Sequence, residues 1–157
     1  MKTSLKKGFS FGLTSGIITT LGLMVGLYAT THSQTVVIGG ILTIAIADAL
    51  SDAMGMHISE ESDRKNTTRE VWESTIATFF AKLVFASIFI IPVLLLPLDT
   101  AILVSILWGI LVIAAVSYSI ARDQKEKPLH VIFEHLFITV VVIVATHLVG
   151  GAIANIF

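Results

Sequence analysis

Cysteine does not occur in this chain. That absence removes disulfides, zinc–thiolate sites and thiol catalysis, while leaving the compartment open. Charge is scarce too: Asp, Glu, Lys and Arg make up 13% of the 157 residues, and the formal net charge of −1 offers nothing to a nucleic-acid partner. Proline is rare, with three residues, of which Pro92 and Pro97 fall close together. Low-complexity segments and obvious internal repeats are missing. The chain is instead apolar, with 55% hydrophobic residues and a mean hydropathy of +0.91. A soluble domain of this length has too little interior to hide that surface, so the composition indicates an integral membrane protein.

Five apolar runs approach or exceed the roughly 20 residues that a spanning helix needs. They cover about 8–30, 36–59, 74–96, 101–120 and 131–157. The first follows Lys2, Lys6 and Lys7 and superficially resembles a signal peptide, but it is long enough to span and lacks a small-residue cleavage site. It is expected to remain as the first helix. Its glycines Gly12, Gly16, Gly22 and Gly26 suit close helix contacts. Pro92 interrupts the third run near its end, and Pro97 opens a tight turn; both are expected to end that helix rather than to form a gate. The segment 60–70 is the most charged in the chain and is expected to be an aqueous loop.

Basic residues fix the expected orientation. Lys6 and Lys7 precede the first run, Arg64, Lys65 and Arg69 follow the second, and Arg122, Lys125 and Lys127 follow the fourth. The other two connections carry no Lys or Arg. The positive-inside rule therefore puts the N-terminus and both charged loops in the cytoplasm. The expected fold is all-α: a polytopic membrane protein, one domain over residues 1–157, with five transmembrane helices and an odd span count that favours a homodimer.

Within the second run, Asp48 and Asp52 stand four residues apart and so share one helical face, with Ser51 and Met56 extending it. A carboxylate in hydrocarbon costs several kcal/mol, so acids at that depth face a bundle interior or a wet cavity and mark an ion or proton path. Carboxylates suit divalent cations, and the Met56 thioether adds a softer group favoured by transition metals. They suit proton carriage equally well. The plainer alternative is a structural role, capping a helix or pairing with Lys82.

Lys82 is the one basic residue inside a run. It either acts as counter-ion to an aspartate or snorkels to the cytoplasmic interface. Glu60, Glu61, Glu70 and Glu73 lie at the mouth of the second and third helices, where they either recruit metal weakly or form an ordinary solvated loop. His57 sits just inside that mouth, and His32 and His130 look like interface residues. His147 is expected to be hydrogen-bonded at a helix contact. Thr14, Ser15, Thr19 and Thr20 make part of the first helix polar, as if it faced the bundle or a cavity.

The stretch Gly12-Leu-Thr-Ser15-Gly16-Ile-Ile-Thr19-Thr20 resembles the helix-one motif of the vacuolar iron transporter family, Asn-Asp-Gly-Ile-Val-Thr-Thr. Ala47-Asp48-Ala-Leu-Ser51, with Gly55 and Ser59, resembles that family's helix-two motif, Ala-Asp-Gly-x-Ser-Met-x-x-Gly-Glu-x-x-Ser. The end of the third run and Thr146-His-Leu-Val-Gly150 in the fifth resemble the family as well. The resemblance implies a homodimer whose paired helices enclose a path for Fe²⁺ or Mn²⁺. It implies transport out of the cytosol coupled to inward proton movement, with the metal as cargo and no permanent cofactor. Ser15 stands where the family has a helix-one aspartate, Asp52 replaces a methionine, and Met56 replaces a glutamate. The long cytoplasmic metal-binding helices are absent.

These readings converge on a multi-pass divalent-metal transporter, in the cell membrane if the source is prokaryotic, with Asp48, Asp52, Met56, Ser15 and Ser51 along the path and Lys82 as counter-ion. The alternative is a non-transporting membrane scaffold with a structural Asp/Lys cluster at a dimer interface. An enzyme is the weakest option, because intramembrane aspartyl proteases place their two aspartates on separate helices.

Overall fold

The protein was analysed as a computed structural model describing residues 3–157; Lys2, part of the charge argument, lies outside the described residues. All regular structure among the described residues is helical: α1 (Thr3–Thr31), α2 (Gln34–Ser62), α3 (Thr68–Ile88), α4 (Ile90–Leu95), α5 (Leu98–Gln124) and α6 (Pro128–Ile156). With α3 and α4 taken as one broken rod, five helical segments are long and apolar enough to cross a bilayer. The chain is an integral, multi-pass membrane protein.

Each spanning helix begins ahead of the apolar stretch that marks it, and α1, α2 and α5 also run past its end, because the polar ends find partners and stay wound. The connection read as an aqueous loop over 60–70 shrinks to residues 63–67. On one side, Asn66 Nδ2 donates to the Glu60 carbonyl (2.9 Å) and to its carboxylate (3.0 Å), which holds the end of α2. On the other, Thr67 and Glu70 form a reciprocal capping box that starts α3. At the far end of α5, Lys125 takes a left-handed conformation (φ 59°), and the Glu126 N–H closes on the Ala121 carbonyl at 2.9 Å. Pro128 then opens α6, where its missing N–H is harmless.

The break between α3 and α4 falls at Phe89, three residues before Pro92. Proline has no N–H for the Ile88 carbonyl, and its ring crowds that carbonyl, so the ladder is cut one turn upstream. The interruption thus lies earlier than Pro92 itself.

Side-chain links gather the charged ends. Lys7 bonds Glu60 (2.9 Å), Ser4 donates to Glu73 (2.8 Å), and Lys6 pairs with Asp123. The start of α1 therefore meets the ends of α2 and α5 and the start of α3 at one end of the bundle. Tyr28–Asp99 (2.5 Å) and Gln34 to the Val93 carbonyl (2.5 Å) tie the opposite end.

The central element is α1, which touches α2, α3, α5 and α6. Leu13, Ile17, Leu21 and Met24 of α1 are buried among Ile41, Phe89, Val93 and Ile113. Helices α1 and α3 run parallel, with Gly8 against Ser74, Gly12 against Thr78 and Gly16 against Lys82. A Cβ on Gly12 would collide with the backbone of Thr78, so only glycine lets the two helices approach this closely. The Thr78 hydroxyl uses that approach to reach the Gly8 carbonyl at 3.2 Å. This seam sets the position of Lys82.

Candidate functional site

At Gly16 the missing side chain leaves room for the Lys82 stem: a Cβ there would lie 3.3 Å from Lys82 Cγ. From that slot the ammonium crosses from α3 to α2, near the mid-length of both helices, instead of reaching for a helix end. It lies on Asp48 Oδ2 (2.5 Å), on Asp52 Oδ2, and on Ser15 Oγ (2.8 Å). Ser15 in turn donates to Asp52 Oδ2 at 2.6 Å. The contact with Asp48 is one of charge, off the direction of a hydrogen bond, for that buried oxygen accepts none from the described residues. Three helices therefore meet on one four-residue cluster.

Exposure within the cluster is uneven. The Lys82 side chain is 1% exposed, Asp48 28% and Asp52 21%. Burying a lone ammonium costs several kcal/mol, and here two carboxylates and a hydroxyl offset it. Two carboxylates less one ammonium leave the cluster at −1. The carboxylate side borders an open groove of about 650 Å³ between α1 and α2, lined by Leu23, Leu27, Gly40, Thr43, Asp48 and Ser51 among others. The cluster is thus sealed behind Lys82 and open beside Asp48.

The structure brings together Ser15, Asp48, Asp52 and Lys82 and leaves other candidates apart. Ser51 lines the groove with Asp48, whereas half-buried Met56 lies off it. Thr20 faces the interior of the bundle, where its hydroxyl has no hydrogen-bond partner among the described residues. The mouth acids do not converge: Glu60 is held by Lys7 and Asn66, Glu73 by Arg69 and Ser4, and Glu70 by its capping box. Glu61 lines a pocket with His57 and Asn66. Among the described residues, no three His, Asp or Glu side chains gather as a metal cage. His147, expected at a helix contact, lies instead on the exposed face of α6, which the other helices leave largely uncovered.

Sequence reasoning passed over the surroundings of His57. Its Nδ1 lies 3.0 Å from Thr75 Oγ1 of α3, and its ring stands edge-on to Trp72 with centroids 4.7 Å apart. The spacing of His57 and Glu61, four apart on α2, was a usable signal. Nothing in the sequence pointed to Thr75.

The model of the VIT family matches residues 7–71. That stretch takes in α1 from Lys7 onward, α2 and the first turn of α3, and so holds Ser15, Asp48, Asp52 and Met56 but not Lys82. No curated protein matches the chain.

Proposed function

We propose, from the premise that this membrane protein carries a VIT family domain over residues 7–71 and that this family implies iron or manganese transport, that the chain exports Fe²⁺ or Mn²⁺ from the cytosol. The N-terminus and both basic loops lie in the cytoplasm, and metal moves outward against inward proton movement. Asp48 and Asp52 are the ligands in the membrane. Ser15 and Ser51 assist from α1 and α2, and Met56 adds a thioether one turn towards the cytoplasm.

The observation that carries the reading is the Asp48–Asp52–Lys82 cluster beside an open groove at membrane depth. Lys82 holds the position a cation would take between the carboxylates and keeps them from facing each other uncompensated. A metal that takes both carboxylates must dislodge this ammonium. With the ammonium displaced, the two carboxylates of one cluster carry −2, which one M²⁺ balances. A homodimer with the path at its seam fits the exposed groove.

The test is Mn²⁺ flux into vesicles containing the purified protein. Asp48→Ala plus Asp52→Ala should abolish it; flux equal to the unmodified protein would refute the assignment. A second reading, a non-transporting scaffold, draws on the contact of Lys82 with both carboxylates. It expects Lys82→Met to weaken the dimer and leave Mn²⁺ binding undetectable, whereas the transporter reading expects that variant to bind Mn²⁺ more tightly.

A further inference from the structure

At the charged end of the bundle, a pocket of about 130 Å³ is lined by His57, Glu61, Asn66, Thr68, Val71 and Trp72. Its polar groups are set by neighbours in a way that leaves electron pairs available. The one proton of Thr75 Oγ1 goes to the Val71 carbonyl at 2.7 Å. The 3.0 Å contact with His57 is therefore donated by the imidazole Nδ1–H. In the neutral ring this tautomer puts the lone pair on Nε2, which no hydrogen bond among the described residues engages and which is not a buried, unsatisfied atom. A hydrogen bond from the second ring nitrogen is how metal-ligating histidines are usually oriented.

Asn66 is fixed in the same sense. Both of its Nδ2 donations go to Glu60, so its Oδ1 is left as an acceptor. Glu61 lies one turn beyond His57 on the same face of α2, and its carboxylate is engaged by no ion pair or hydrogen bond of the described residues. Residues carrying an imidazole nitrogen, a carboxylate and an amide oxygen thus line a single small pocket.

We infer that His57, Glu61 and Asn66 form a capture site for a divalent transition-metal ion at the mouth of α2 and α3, with water completing the coordination. The imidazole gives the site its class of ligand: nitrogen favours Fe²⁺, Co²⁺ and Zn²⁺ over Mg²⁺ and Ca²⁺, which prefer all-oxygen shells. His57 lies five residues along α2 from Asp52, so an ion held there sits below the membrane cluster on the same helix. Thr75 acts through His57 and is a positioning residue. The inference builds on the transport reading by naming where the cargo is first held and what it must be made of.

Trp72 supplies the readout. The chain has two tryptophans, and the other, Trp108, packs on Phe89 at the α3–α4 break. In a Trp108→Phe protein in detergent, Co²⁺, a paramagnetic quencher, should reduce Trp72 fluorescence saturably, and Mg²⁺ in large excess should not reverse it. His57→Ala and Glu61→Gln should each weaken the Co²⁺ midpoint at least about tenfold, and Thr75→Val, which leaves all three ligands in place, should weaken it by about tenfold or more. Absence of saturable quenching, or a midpoint unmoved in His57→Ala, would overturn the capture site. Quenching lost on Asp48→Asn plus Asp52→Asn but kept in His57→Ala would overturn it too, by assigning the signal to the membrane cluster. Quenching with no Mn²⁺ flux would sink the transport reading and leave the capture site standing; flux without quenching does the reverse.

Discussion

Lys82 carries its charge to the mid-length of three helices, where every contact that offsets its desolvation comes from two neighbouring elements. Removing one partner of such a buried set strands the others, at about 3–5 kcal/mol. Lys82→Met should therefore lower the melting temperature of the protein in detergent, and adding Asp48→Asn and Asp52→Asn should recover most of the loss. Mn²⁺ should raise the melting temperature of Lys82→Met more than that of the unmodified protein, because the ion takes the place of the ammonium. Equal shifts in the two proteins would argue against a shared position for metal and lysine. The paired aspartates were legible in the sequence from their spacing alone. The partner of Lys82 was not, since a side chain five heavy atoms long can pair or snorkel, and only the register of α1 on α3 decides between them.

Helix packing decides that register, and Gly8, Gly12 and Gly16 do so along one line of α1. A methyl group on Gly12 meets the Thr78 backbone, so Gly12→Ala should separate α1 from α3 and cost about 1–3 kcal/mol. Gly39 of α2 has nothing within 4 Å of the same added atom. Gly39→Ala should be neutral or stabilise by up to about 1 kcal/mol through helix propensity alone. Thermal melting of the two single variants separates packing from propensity; equal effects would contradict the seam. At the start of α3, Thr67→Ala removes the capping hydroxyl and should cost about 1 kcal/mol in the same assay. The existence of five helices followed from apolar runs, but their ends did not. Capping by Asn66 and Thr67 wound residues 60–62 and 68–70 into helix although their charges suggested a loop.

For the molecule as a whole, α1 and α2 present the groove and α6 its apolar flank to the surroundings, and α1 is the most buried of the spans. The absence of cysteine makes the proposed dimer seam directly testable. Thr43→Cys, in the groove wall beside Asp48, should form a disulfide-linked dimer under mild oxidation in membranes. Leu148→Cys, on the outer face of α6, should not. Cross-linking at Leu148 with none at Thr43 would move the seam away from the groove and separate the carboxylates of the two copies. The same placement bears on the cargo. A groove that closes into a path only between two copies needs both of them, and single copies held apart in nanodiscs should then show no flux.

Composition and run length by themselves determined that the chain lives in a membrane and crosses it as helices, because hydrocarbon tolerates few other arrangements of so much apolar backbone. Helical periodicity likewise put Asp48 and Asp52 on one face. Tertiary structure alone decided what that face meets. Contacts between helices depend on where small residues let backbones touch, and that choice put Lys82 on the aspartates and gave the His57 imidazole its tautomer through Thr75.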